Sequence, residues 1–423
     1  MDILALYQIV RQKPISTDTR NIIKDSVFFA LKGESFDGNT FAEKALENGA
    51  SYAIIDNKNY LINEKCILVD DVIETLQKIS NLHRKHHQIP YIGITGTNGK
   101  TTTKELISCV LRKKYSVTAT IGNLNNHIGV PLTLLSINED TEIAIIEMGA
   151  NHPKEIDFLC KIAEPQFGII TNIGKAHLEG FGSYEGVINT KNELYKYIDN
   201  YGKLVFVNGD NELLEGLSKN MNRNLYFTNS NSKIKVESNQ PYLKLKYYEN
   251  VVETKIAGTY NFENIMAAIS VGLYFNVDEK DIIRALEEYT PNNNRSQIIE
   301  TKNNEIIMDA YNANPSSMKA AFENFNTIKH SKKIAILGDM FELGKDSIDE
   351  HENIINIFKE GNDIHAIFIG KSFYLASDKS DSSTFFENME SFKLYLEKKP
   401  ITDSLILLKG SRGMKMEQLL SIL

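Results

Sequence analysis

Two hydrophobic periodicities alternate along most of this chain, and each predicts a different kind of element. Continuous apolar runs at 91–95, 142–147, 167–171 and 203–207 have the length and composition of fully buried strands. Between them, residues 100–112, 153–162 and 184–198 place their apolar side chains at helical spacing. Strands that alternate with helices in this way predict a parallel sheet with crossover helices. The pattern resumes near the C-terminus, with strands at 305–309, 333–337, 366–369 and 405–408. Helical stretches at 315–325, 348–358 and 414–422 separate or follow them.

Two regions depart from that rhythm. Residues 1 to about 88 hold short apolar runs at 27–30, 52–55 and 67–69 between loops, then a helical stretch over 71–87. Pro90 disfavours helix in the residue before it and marks a boundary. Residues 223–256 carry period two at Ile234 and Val236, then at Leu243 and Leu245, which predicts small antiparallel strands with one solvated face. Helices are expected at 262–274 and 279–288, before a linker at Pro291-Asn292-Asn293-Asn294. The economical partition is three α/β domains: a small one at 1–89, a central parallel-sheet one at 90–290 with an antiparallel addition, and a Rossmann-like one at 291–423.

Length agrees, since 423 residues at about 150 per domain allow two to four domains. Apolar residues at 42% and charged ones at 24% exclude collagen-like and disordered classes. No apolar run approaches the ~20 residues of a membrane span, and the start MDILALYQIVRQKPIS lacks a basic-then-apolar leader. The 47 basic and 55 acidic side chains leave −8, which argues against a partner that is nucleic acid. Three widely spaced cysteines, Cys66, Cys109 and Cys160, form no disulfide framework. A cytoplasmic, monomeric, multidomain protein is the expectation.

The chemistry enters at Gly93-Ile94-Thr95-Gly96-Thr97-Asn98-Gly99-Lys100-Thr101-Thr102, which follows a strand and opens a helix. In that setting consecutive backbone N–H groups and the helix N-terminus face an anion, the Lys100 ammonium adds positive charge, and the Thr101 hydroxyl reaches Mg²⁺. Ile94 stands where the strict phosphate-loop pattern has glycine, so this is a shorter variant. A glycine turn capping an ordinary helix is the plainer alternative. Guanine-specific proteins carry a later Asn-Lys-x-Asp; the chain's Asn57-Lys58 precedes the loop and runs into Asn59-Tyr60, so ATP is preferred. Glu147 ends an apolar strand, where a carboxylate beside a phosphate loop can reach Mg²⁺.

The segment 96–102 resembles the Mur ligase superfamily, which forms peptide bonds at the expense of ATP. Asp309-Ala310-Tyr311-Asn312-Ala313-Asn314-Pro315, the stretch 337–344 (Leu-Gly-Asp-Met-Phe-Glu-Leu-Gly) and 409–417 (Lys-Gly-Ser-Arg-Gly-Met-Lys-Met-Glu) are similar to one branch of it. Asn125-Asn126 through Pro131 and His177-Leu178-Glu179-Gly180 extend the resemblance over all three domains. That branch joins D-alanyl-D-alanine to UDP-N-acetylmuramoyl-tripeptide through an acyl phosphate, with ATP and Mg²⁺. The resemblance implies UDP binding by the N-terminal domain and ATP binding between the other two. Another ligase of the superfamily, adding a single amino acid, is the nearer alternative; a non-catalytic nucleotide or UDP-sugar-peptide sensor is the more distant one.

The same resemblance assigns residues. Thr95, Gly96, Thr97, Asn98, Gly99, Lys100, Thr101 and Thr102 would cradle phosphates, with Lys100, Glu147, His177 and Lys191 as the catalytic set. Thr101, Glu147, His177 and a carbamylated Lys191 would hold magnesium, and Glu193 would support Lys191. Taken alone, Lys191 reads as a surface lysine on an amphipathic helix. Asn261, Asn264, Arg295, Asn312 and Asp339 fall at nucleotide positions, with Tyr260 where the family usually has histidine. Thr19, Arg20, Lys32 and Asn39 fall at UDP positions, and Asn125, Asn126, Asn314, Lys409 and Arg412 at other substrate positions. Thr19 stands for a commoner serine, Asn39 for histidine and His127 for glutamate.

Overall fold

A computed structural model of the chain describes residues 2–33, 35–229, 232–247, 250–292, 294–361, 363–377 and 383–423. Asn293 of the expected linker lies outside the described residues. Among the described residues, no helix is long and apolar enough to cross a membrane.

Buried apolar runs become parallel strands, as the alternation predicts. The central sheet has six strands in the order Arg223–Tyr226, Leu204–Asn208, Phe167–Ile170, Tyr91–Thr95, Ile143–Glu147 and Val117–Ala119, all parallel. Every residue of Tyr91–Thr95 and of Ile143–Glu147 is buried, because helices cover both faces. Two strands escape the sequence pattern. Val117–Ala119 is a short, half-buried edge, and Arg223–Tyr226 continues the parallel sheet instead of joining the period-two region. The antiparallel addition begins later, as Ile234–Ser238, Lys244–Tyr247 and Asn250–Glu253.

The N-terminal sheet has four parallel strands, in the order Ile15–Ser16, Val27–Phe29, Tyr52–Ile55 and Cys66–Leu68. Helix Val72–His86 starts at Asp71, whose carboxylate accepts the Glu74 N–H, and buries Val72, Leu76 and Ile79 against that sheet. Its other side reaches the central domain. Arg84 donates to the carbonyls of Ala163 and Glu164, and the Asn81 amide donates to that of Ile162.

The C-terminal sheet has six strands. Gln297–Glu300 pairs antiparallel with Asn304–Met308, followed in parallel by Ser404–Lys409, Lys333–Gly338, Ile364–Ile369 and Thr384–Phe386. The expected helix over 414–422 is instead two 3₁₀ segments, Arg412–Met414 and Met416–Ser421. Lys415 between them has φ 51°, a left-handed conformation that a continuous right-handed helix does not accommodate.

The helix that opens at the phosphate loop, Lys100–Leu111, is held by Asn261–Tyr274. Gly272 permits the close approach, since a Cβ there would lie 2.5 Å from Val110 Cγ1. In the C-terminal core, Phe368 is fully buried, stacked on Phe385 with centroids 5.2 Å apart and tilted against Phe373 at 4.8 Å. Phe368→Ala should cost about 3–5 kcal/mol, read as a lower urea midpoint for unfolding of this domain.

Candidate active site

The strand that precedes the phosphate loop delivers it at the C-terminal edge of the central sheet, where parallel α/β sheets carry their sites. The loop's glycines are required by space as well as by backbone conformation. Gly96 has φ 143°, and a Cβ on it would lie 2.0 Å from Thr171 Oγ1. Gly99 has φ 77°, with Asn264 Oδ1 only 2.5 Å from where its Cβ would sit. Thr95 is buried and donates to the Met148 carbonyl at 2.8 Å, while Thr97 accepts the Gly174 N–H at 2.9 Å. The Asn98 N–H donates to Asn172 Oδ1, so strand ends on both sides fix the loop.

This loop lines a cleft of about 1370 Å³ between the central and C-terminal domains. Lys100 Nζ folds back onto the carbonyls of Gly96 and Thr97, at 2.8 and 3.0 Å. Burial pushes its ammonium down to about 8, Glu147 opposes that shift, and Arg295 adds to it. The Thr101 hydroxyl donates to Glu147 Oε1 at 3.2 Å, and the Asn125 amide donates to the same oxygen at 2.8 Å. The other carboxylate oxygen, Oε2, is buried without a hydrogen-bond partner. A buried carboxylate oxygen without a protein hydrogen-bond partner, beside a threonine hydroxyl, suits a hard cation, for which oxygen donors are the preferred ligands.

Lys191 is 2% exposed, so the reading of a surface lysine does not hold. Its Nζ donates to the Ala150 carbonyl at 3.3 Å and lies 5.2 Å from the Phe181 ring centroid. Burial pushes its amine down to about 7, with the Lys100 charge acting in the same direction. Glu193 does not turn toward it: its carboxylate accepts the N–H groups of Lys154 and Asp157 at the start of helix Glu155–Ala163. His177 has φ 51° just before a short helix, and its Nδ1 meets the Glu342 carboxylate of the C-terminal domain.

Other predicted residues also converge. Asn264 donates to Asn261 Oδ1 and accepts from the Thr103 hydroxyl, which ties both asparagines to the phosphate-loop helix. Tyr260 hydrogen-bonds Ser296 at 2.8 Å, and Asn261 donates to the same hydroxyl at 3.0 Å. Arg295 and Thr102 line the cleft, as do Asn312 and Asn126. Asn126 Oδ1 accepts the N–H groups of Ile128 and Gly129, opening helix Gly129–Leu135. Asn314 caps helix Pro315–Thr327 through the Ser317 N–H, and its amide donates to Asn98 Oδ1 across the domain boundary at 2.9 Å. Lys409 is spent on Asp309, at 2.6 Å.

Other predicted residues are engaged elsewhere or lie outside this cleft. Both oxygens of Asp339 accept backbone N–H groups, from Ser372 and Phe373, and the residue does not line the cleft. Asn39 is fully buried: its amide donates to Asp37 and Asp56, and its oxygen accepts the N–H groups of Asp56 and Asn57. No side-chain capacity is left there for a ligand. Lys32 is paired with Asp56 at 2.8 Å and the exposed Arg20 with Asp18, while Thr19 lends its carbonyl to Asn48. These four lie apart from the cleft, in the N-terminal domain to which the resemblance assigns the UDP end.

The cleft also contains residues to which the sequence attached no role. Two guanidiniums lie over the Tyr311 ring, Arg295 at 3.7 Å and Arg412 at 5.0 Å from its centroid. Arg295 Nε is buried without a partner. Glu342 and Tyr311 both stand inside the quoted third-domain motifs, which was the available signal.

Comparison with known proteins gives the same outline. Residues 13–94 match the Mur ligase family catalytic domain, 94–272 the Mur ligase middle domain, and 294–412 the Mur ligase glutamate ligase domain. UDP-N-acetylmuramoyl-tripeptide–D-alanyl-D-alanine ligase of Bacillus subtilis is 36% identical, covering 96% of this chain and 92% of that one. The crystal structure of MurF from Acinetobacter baumannii superposes with a TM-score of 0.85 at 28% identity, covering 99% of this chain and 97% of that one. MurF ligase from Thermotoga maritima in complex with ADP gives 0.81 at 27% identity, over 98% and 97% of the two chains.

Gly96→Ala must strain the backbone and push Thr171 away. A cost on the order of 1–3 kcal/mol is expected in ADP binding by calorimetry, with the circular dichroism spectrum unchanged.

Proposed function

The chain belongs to the Mur ligase family, and on that premise we propose that it joins D-alanyl-D-alanine to UDP-N-acetylmuramoyl-tripeptide with ATP, in cytoplasmic peptidoglycan precursor synthesis. The observation that carries the reading is the meeting of the phosphate loop with the third-domain motif, through Asn314 and Asn98. That motif resembles the dipeptide-adding branch, and ligases that add one amino acid are expected to lack it.

A carboxylate oxygen is a poor leaving group until it is phosphorylated. The tripeptide carboxylate attacks the γ-phosphate of ATP and ADP departs; the dipeptide amine then attacks the acyl carbon and inorganic phosphate leaves. The protein's part is positioning and charge neutralisation. Lys100 exchanges the carbonyls of Gly96 and Thr97 for phosphate oxygens, while the loop's N–H groups and the helix N-terminus face the same anion. Asn261, Asn264 and Arg295 lie on the nucleotide side, and Asn312, Asn314 and Arg412 on the third-domain wall. Residues 1–89 hold the UDP end, 90–290 the ATP, and 291–423 the dipeptide side.

Magnesium, when bound, draws charge away from the phosphate oxygens. Thr101, Glu147 and His177 would hold it, and the unpartnered Glu147 oxygen supports that fit. Lys191 would be the remaining ligand after its neutral amine adds CO₂ and loses a proton, becoming a carbamate that offers oxygen donors. An amine pushed down to about 7 has a substantial neutral fraction near pH 7, which favours that addition. Because the neutral fraction grows as pH rises through that value, carbamate formation should fall as pH drops below 7. Labelled CO₂ followed by carbon NMR would read it, and Lys191→Ala should lose the signal.

Phosphate release should require both the UDP-muramoyl tripeptide and D-alanyl-D-alanine, with a product heavier by the dipeptide less water. Lys191→Ala should lower the rate by about 100-fold or more, with partial recovery in a small carboxylate. Release with a single amino acid would move the assignment to another ligase of the family. ATP binding without turnover on any acceptor would indicate a sensor.

A further inference from the structure

We propose that His86, His87 and Glu139 form a site for a zinc-class divalent cation, one that ties the N-terminal domain to the central domain. Their candidate ligand atoms all lie within 4.8 Å of one another. Neighbouring residues on a helix point about 100° apart and do not converge on one ion. Here they do, because the helix ends at His86: His87 is its C-cap, with φ −91° and ψ 108°. The turn into extended backbone brings the two imidazoles together, with ring centroids 5.1 Å apart and planes at 87°. Glu139 arrives from a different part of the fold, the loop before strand Ile143–Glu147, with Oε1 3.6 Å from His86 Nε2.

The donor set selects the ion. Two imidazole nitrogens and one carboxylate oxygen suit Zn²⁺ and its first-row neighbours, whereas Mg²⁺ prefers oxygen throughout. A helix C-terminus also carries negative partial charge, which favours a cation there. The surroundings fix one side of the site. His83 is occupied by Tyr7 at 3.2 Å and by the Ile137 carbonyl at 2.8 Å, and its ring packs against His87 with centroids 4.6 Å apart. Of the nearby cations, Lys85 is paired with Glu164, and Arg11 lies over Tyr7, 5.9 Å from the ring centroid. His86 and Glu139 have side chains 37% and 80% exposed, so an ion can enter and a water can complete its coordination.

The clip would act mechanically. Val72, Leu76 and Ile79 root the helix in the N-terminal core, so an ion shared with Glu139 would restrain that domain against the central sheet. The site lies outside the ATP cleft, and the inference stands whether or not the ligase reading holds.

Equilibrium dialysis of the full chain against Zn²⁺, with excess Mg²⁺ to occupy the ATP cleft, tests it. The wild-type protein and Glu147→Gln should each bind one Zn²⁺ that His86→Ala and Glu139→Gln bind at least about tenfold more weakly. Both of those substitutions are at exposed positions, and circular dichroism checks that the variants fold. Zn²⁺ should also raise the melting temperature of the wild type and not of Glu139→Gln. Equal binding by all four proteins, binding lost only in Glu147→Gln, or no binding would each overturn the proposal.

Discussion

A triphosphate site has to hold several positive groups close together without letting the protein's own anions neutralise them first. Here the arrangement around Lys100 meets that condition. Its ammonium rests on two backbone carbonyls, which are neutral partners a phosphate can displace, and not on Glu147. Glu147 in turn keeps one oxygen on Thr101 and Asn125 and leaves the other free. A direct Lys100–Glu147 bond would neutralise a cation proposed to meet phosphate and an anion proposed to meet metal. The same logic reaches Lys191, which is buried with its Nζ on the Ala150 carbonyl and no carboxylate hydrogen-bonded to it, so that its amine is pushed down.

Everything else positions these groups. The parallel sheet brings the ends of Tyr91–Thr95, Ile143–Glu147 and Phe167–Ile170 side by side, so loop, carboxylate and Thr171 share one edge. The C-terminal domain then closes the cleft with polar contacts. Asn314 meets Asn98, Ser316 Oγ accepts the Lys175 N–H, and Lys175 Nζ pairs with Glu350 at 2.7 Å. Polar, partly exposed contacts of this kind allow a domain to open and close, whereas an apolar seam would hold it shut.

The fold was largely legible because continuous apolar runs have few alternatives once helices alternate with them. What escaped was short or marginal. Val117–Ala119 has three half-buried residues and no pattern of its own, and Arg223–Tyr226 looks amphipathic because it is an edge strand. The 414–422 helix failed at a single left-handed residue, Lys415, which apolar spacing does not reveal. Motif resemblance pointed to Lys100, Glu147 and Asn314, which line the cleft, but it could not show how a side chain spends its hydrogen bonds. Asn39 is taken up by two carboxylates and two backbone N–H groups, Asp339 accepts two backbone N–H groups, and Glu193 is held by the start of a helix. Lys191 shows the reverse, since helical spacing reads as surface and only the packed fold reveals its burial.

Gly174 carries a consequence for how such an enzyme can diversify. A Cβ at that position would fall 2.6 Å from Ser316 Oγ, across the boundary between the central and C-terminal domains. The two halves of the cleft are therefore matched by shape as well as by charge, down to a missing methyl group. A C-terminal domain recombined from a distant relative would meet a central partner cut to a different surface. Inheritance of new amine specificity should accordingly proceed by change within the third-domain loops, not by exchange of the whole module.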